Sequence, residues 1–146
     1  IKTMKQIAAP LRINLAQYRE MSSFAQFGAE LDKSAQAQLH RGERIIQILK
    51  QPQYKPIPVN NQILSLFLVT RGYLDDVPLE QIPLLEQEVQ AYMHQEHPEI
   101  MKKLGSGQNL KEFEDELKSA VERYLGKINA NTAGSLEIEE NGNKGD

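Results

Sequence analysis

VNNQILSLFLVT, residues 59–70, decides how the rest of the chain is read. Ile63, Leu64, Leu66, Phe67, Leu68 and Val69 leave almost no polar gap between them. At 3.6 residues per turn they surround a helix, and a helix apolar on nearly every side belongs at the centre of a domain. The neighbours of this segment must therefore be amphipathic and wrap around it.

They are. Upstream, Lys33 to Lys50 places Ala35, Leu39, Ile46 and Leu49 in one stripe, widened by Ile45 and Ile48, with Arg41, Glu43, Arg44 and Gln47 facing elsewhere. Between the two helices, QPQYKPIPV carries Pro52, Pro56 and Pro58, which predicts a stiff extended connector. Pro58 suits the first position of the central helix, where its missing N–H costs nothing. Further upstream, Lys2 to Gln26 repeats apolar residues at Met4, Ile7, Ala8, Leu11, Leu15, Tyr18 and Phe24. Pro10 within it predicts a kink or a break. Gly28 is placed as a left-handed helix end. Asp32 is placed to cap the next helix by accepting from its free N–H groups.

Downstream, Gly72 stops the central helix, and YLDDVP reads as a turn in which Asp75 or Asp76 can cap the next helix. Leu79 to Gln95 is that helix, regular from about Ile82, with Ile82, Leu85, Val89 and Tyr92 or Met93 inward. Pro98 ends it, because the residue before a proline is driven out of the α region. A short piece, Glu99 to Leu104, leads to GSGQN, and Asn109 caps a last helix, Leu110 to Leu125. Leu110, Phe113, Leu117, Val121 and Tyr124 line its inner side. From Asn129 the composition turns to Gly, Asn and Glu, which predicts a flexible tail over 129–146. The expected architecture is all-α: one bundle of about five to six helices over residues 1–128.

The 146 residues suit one domain. Cys is absent, which excludes a disulfide framework and thiolate metal sites. No apolar run reaches the length that spans a bilayer. The sequence begins at Ile1 already reading as helix, which we take as a piece whose upstream part is missing. Residues 1–55 hold nine Lys/Arg and four Asp/Glu, a net of +5; residues 56–129 hold seven and twelve, a net of −5. The charge is bipolar, and the basic half is too mixed to suit nucleic acid.

No constellation of residues promises chemistry. GSGQN lacks the Lys-Ser/Thr of a nucleotide-binding P-loop and reads as a turn. His94 and His97 could share a metal on a continuous helix, but Pro98 interrupts it. Asp75–Asp76 and the run Glu112, Glu114, Asp115, Glu116 suit capping and the positive end of a helix dipole better than acid–base catalysis. Arg19, Arg41, Arg44 and Arg71 suit salt bridges. No catalytic, cofactor-binding or metal-binding residues emerge, and an interaction module is the reading that remains.

Four stretches carry a resemblance: LAQYRE (Leu15–Glu20), FAQFGAELD (Phe24–Asp32), QxxLxRGxRxxxxLKQPQYxPxPV (Gln36–Val59) and GYLD (Gly72–Asp75). Together they resemble the C-terminal helical domain of F-type ATP synthase alpha subunits, from Ile1 to about Leu125. The resemblance implies a place in the crown of a ring of alternating alpha and beta subunits around a rotating gamma shaft. The ring is peripheral to the inner side of an energy-transducing membrane and couples ATP synthesis to proton transport. It implies that Mg-ATP binds upstream of Ile1, with no cofactor here, and that the domain is structural and non-catalytic. By family alignment, Phe27, Gly28, Ala29, Glu30, Leu31 and Asp32 face the rotor or a neighbouring subunit, with Tyr18 and Phe24 holding the stem. Ala29 and Glu30 stand where alpha subunits commonly have Ser and Asp. Pro10, Asn60–Asn61 and Arg71 are further departures. The reading from another class is a free-standing helical adaptor without nucleotide chemistry.

Overall fold

The computed structural model describes residues 2–28, 30–50 and 57–127. Six α-helices and no strand run among them: α1 (Lys2–Gln26), α2 (Lys33–Leu49), α3 (Val59–Thr70), α4 (Ile82–Glu96), α5 (Pro98–Gly105) and α6 (residues 114–127). Single 3-10 turns, Leu79–Gln81 and Leu110–Glu112, lead into α4 and α6. The protein is the all-α bundle expected. The proline-rich connector at residues 51–56 and the tail read over 129–146 lie outside the described residues.

The all-round apolar segment is the axle of the fold. Every residue of α3 from Ile63 to Thr70 is buried, and α1, α2, α4 and α5 all pack against it. Two polar members of this run are satisfied locally. Thr70 donates to Leu66 O at 2.7 Å, and Ser65 donates to Glu86 at 2.8 Å while accepting from Gln90 at 3.0 Å. Burying a hydroxyl costs little when its hydrogen bonds are remade. The α6 side is closed by Leu110, Phe113, Leu117 and Val121, all buried, and by Tyr124 stacked on Tyr92 of α4 with centroids 4.6 Å apart.

Pro10 does not break the first helix, which runs unbroken for 25 residues. The missing backbone donor and the ring clash are offset by docking on both sides of it. Before it, Thr3 donates to Gln108 O, Gln6 donates to Asn109 Oδ1 at 2.8 Å and accepts from Leu110 N at 2.7 Å, and Ile7 is buried. After it, Leu11 and Leu15 pack on the core. These bonds also fasten GSGQN, so this turn is held against α1.

The inner face of α2 is rotated from the stripe expected. Gly42, Arg44, Ile45 and Ile48 are buried, whereas Leu49 is 53% exposed. The reason is Gly42, the point of closest approach to α1. A methyl group there would fall 2.3 Å from Tyr18 Cβ, so no larger residue lets the two helices meet this closely. Pro58 lies just outside α3, with extended geometry, and its carbonyl accepts from Gln62 N at 3.1 Å. Neither Asp75 nor Asp76 caps α4, because the Leu79–Gln81 turn intervenes and Gln81 is its N-cap.

Candidate functional site

The elbow between α1 and α2 is assembled from short-range rules. At the end of α1, Phe27 N and Gly28 N bond back to Phe24 O (3.2 Å) and Ala25 O (3.1 Å). Gly28 then takes φ +77°, a left-handed geometry that costs a side-chain-bearing residue about 1–2 kcal/mol. The backbone re-enters a helix at Asp32, whose carboxylate accepts from Ala35 N at 2.8 Å and whose carbonyl accepts from Gln36 N at 3.0 Å. Gln36 also reaches back to Leu31 O at 3.2 Å. The cap read from sequence at Asp32 is therefore present.

The structure gathers Phe27, Gly28, Glu30, Leu31 and Asp32 at one tip, with Leu31 half-buried and the others exposed. Ala29 lies outside the described residues. Phe27 is 88% exposed, a large apolar surface with nothing over it among the described residues. Tyr18 does hold the stem, against Gly42. Phe24 does not: it is 47% exposed, because it sits in the last turn of α1, where residues 23–26 are exposed on every side. The tip thus carries two aromatic rings and the carboxylates of Glu30 and Asp32. It can bind a surface; it has no nucleophile, no base paired with one, and no phosphate cradle.

The arginines read as salt bridges divide. Arg41 forks onto Asp75, with Nη2 at 2.7 Å and Nε at 3.2 Å, and this hydrogen bonding raises its pKa above the usual guanidinium value. Arg71 pairs with Glu114 at 2.8 Å and lies over the Phe67 ring. Arg19 has no ion pair among the described residues. Arg44, expected to face away, is 8% exposed. It donates to Leu74 O (2.9 Å), Val77 O (2.9 and 3.2 Å) and, one turn back, His40 O (2.9 Å). Arg41 and Arg44 therefore clamp the turn after Gly72. The signal was available: positions 41, 44, 45 and 48 share one side of a helix, and a turn with two aspartates follows α3.

The histidines do not converge. His94 Nε2 lies 2.7 Å from Asn61 Oδ1, while His97 sits between α4 and α5, edge-on to Tyr92. Among the described residues no group of three or more His, Asp or Glu is placed to hold a metal ion. A shallow groove of about 250 Å³ beside His97 is lined by Glu99, Ile100, Glu116, Ser119, Ala120 and Arg123, charges of both signs with no common focus. No helix among the described residues is long and apolar enough to cross a membrane.

Residues 1–124 match the model of the "ATP synthase alpha/beta chain, C terminal domain" family. The protein is also similar to "ATP synthase subunit alpha" of Aquifex aeolicus (strain VF5), at 44% identity over 129 residues. That alignment covers 88% of this chain and 26% of the relative, so the chain spans about a quarter of the length of the protein it matches. With an unbroken match over nearly all of the bundle, it belongs to the family of C-terminal domains of ATP synthase alpha and beta subunits.

Proposed function

We propose that this chain is the structural C-terminal domain of an F-type ATP synthase alpha subunit. It packs between beta subunits around the gamma shaft and contributes no chemistry of its own. The observation that carries this is the family match over residues 1–124, supported by 44% identity to an alpha subunit. The parent enzyme makes or hydrolyses ATP in a membrane-associated complex, on the inner side of an energy-transducing membrane, and couples this to proton transport. Mg-ATP binds to the portion of the subunit outside this chain. No observation favours the free-standing adaptor.

Within that role the elbow is the contact surface. Phe27, Gly28, Ala29, Glu30, Leu31 and Asp32 face the rotor or a neighbouring subunit, with Asp32 also capping α2. A ring as exposed as Phe27 gains most by being covered, since fully burying a Phe side chain stabilises by about 1.5–3 kcal/mol.

Two measurements test the two halves of the proposal. Calorimetry of the 146-residue protein with Mg-ATP should show no tight binding; Mg-dependent binding would place nucleotide chemistry in this domain and overturn its structural role. For the elbow, the sequence has no Cys, so Phe27→Cys in the complete subunit offers a single reactive site within this domain. In the assembled complex a short bifunctional thiol reagent should join it to a beta or gamma subunit. An unreacted, freely alkylated thiol in that complex would remove the elbow from the interface.

A further inference from the structure

α1 changes character at Pro10. Before it, Thr3 is 0% and Ile7 1% exposed. Thr3 donates to Gln108 O, Gln6 Nε2 donates to Asn109 Oδ1, and Leu110 N donates to Gln6 Oε1, so this end is pinned to residues 108–110. After it, every residue from 11 to 26 is half-buried or exposed. Leu11 and Leu15 are partly covered by the core, and Tyr18 lies against Gly42. Among the described residues no side-chain hydrogen bond or ion pair joins 11–26 to another helix; Ser23 donates within α1, to Arg19 O at 3.0 Å.

The joint between these two parts lacks a rung. Pro10 has no N–H for Gln6 O, and its ring crowds the turn before it. Only the carbonyls of Ile7, Ala8 and Ala9 carry the helix across, to the N–H groups of Leu11, Arg12 and Ile13. The 25 residues of α1 make it about 37 Å long, and the longer part lies beyond this joint and ends in the elbow.

We propose that α1 is a lever hinged at Pro10: residues 2–9 are its fixed base, and residues 11–26 tilt, carrying the elbow with them. Sharp bends in helices fall mostly at proline, and a tilt of about 20° there displaces Ser23 by about 7 Å. α2 opposes the tilt through apolar contact, and packed helices accommodate small sliding shifts. The consequence for function rests on the elbow's role proposed above. A contact surface on a hinged lever follows a partner that moves, where a rigid strut would lose it.

Amide exchange resolved by residue, on the 146-residue protein, tests the hinge. Corrected for intrinsic rates, Leu11, Arg12 and Ile13 should exchange about tenfold or more faster than residues 7–9 before them and 15–18 after them. Fraying from the helix ends gives no such minimum of protection inside α1. Pro10→Ala restores the missing bond with the best helix former and should remove the minimum. The sequence has no Cys, so spin labels at Ser23→Cys on α1 and Lys118→Cys on α6, both exposed sites, read the swing. Their distances should be spread over several ångströms and should narrow in Pro10→Ala. Even protection through residues 7–18, a minimum that survives Pro10→Ala, or distance distributions of equal width would overturn the proposal. No partner subunit enters these measurements, so a failed hinge leaves the elbow's role standing, and an elbow that meets no subunit leaves the hinge standing.

Discussion

Two turns in this domain are written in nearly the same local code and come to opposite ends. FGAELD follows α1 and RGYLDD follows α3. Each begins with a glycine in left-handed geometry, φ +77° at Gly28 and +84° at Gly72, and each continues to acidic residues. The second is gripped. Tyr73 N closes on Leu68 O at 3.0 Å, Leu74 is buried, Arg41 forks onto Asp75, and Arg44 donates to Leu74 and Val77. Among the described residues the first is held only by its own helix ends. The difference lies in what α2 presents: two arginines toward the Gly72 turn, and nothing but an N-terminus toward the elbow. A gripped turn stabilises the fold, and a free one is available to another surface.

The largest effect should come from releasing the grip. Arg44→Ala removes the guanidinium that bonds the Val77 carbonyl twice and the Leu74 carbonyl once, leaving Leu74 O only Val77 N at 3.1 Å, and should cost about 3 kcal/mol in denaturant unfolding. A loss below about 0.5 kcal/mol would mean that the turn holds itself, like the elbow. Next is Gly42→Ala, which forces α1 and α2 apart at Tyr18 and should cost about 2 kcal/mol by overpacking. An unchanged midpoint would show the stem of the elbow to be compliant.

The two turn glycines test the comparison directly. Gly28→Ala meets nothing within 4 Å and should lose only the left-handed penalty, about 1 kcal/mol. Gly72→Ala suffers the same penalty and also puts a methyl 2.7 Å from Arg41 Nη2, so the side chain must shift and loosen its hold on Asp75. It should cost more, about 2 kcal/mol. Equal losses at the two glycines would erase the distinction drawn between the turns.

Tyr73 adds a pH signature to the gripped turn. Its burial, with the hydrogen bond to Glu122, pushes its pKa up to about 12 from the ordinary 10.0. The folded state thus holds this proton more tightly than the unfolded state. The stabilisation is complete below the unfolded value and is lost as pH rises from about 10 through about 12. Burial also raises the pKa of Tyr124, so ultraviolet titration should find late tyrosine absorbance that is diminished, not abolished, in Tyr73→Phe; ordinary titration of every tyrosine, or no change in Tyr73→Phe, would refute it. The smallest effect is expected at the elbow tip. Phe27→Ser should leave stability within about 0.5 kcal/mol, because the ring touches little in the free domain. Stability falling by several times that amount would mean that the ring is part of the fold.

Much of this fold is legible in order along the sequence. The all-round apolar run makes α3 the centre, Gly28 and Gly72 end helices, Asp32 caps α2, and Pro98 separates α4 from α5, each through one to four neighbouring residues. The candidate elbow is legible too, through the resemblance of FAQFGAELD. Where the reading of α1 and α2 failed, the deciding partner was remote in sequence. Pro10 stays inside α1 because residues 108–110 anchor the turn before it. The buried side of α2 is set by Tyr18 meeting Gly42 and by carbonyls at Leu74 and Val77 receiving Arg44.

By itself, then, the sequence determined the helices, most of their ends, the central segment and the family. Those depend on local backbone chemistry and on apolar periodicity, which are written in adjacent residues. Only the tertiary structure decided which side of α2 is inside, that Phe24 is outside, and which of two similar turns is gripped. The side of α2 and the grip on the Gly72 turn depend on contacts between residues tens of positions apart; the spacing of Arg41, Arg44, Ile45 and Ile48 offers that side of the helix but does not choose it over the stripe of Leu39, Ile46 and Leu49.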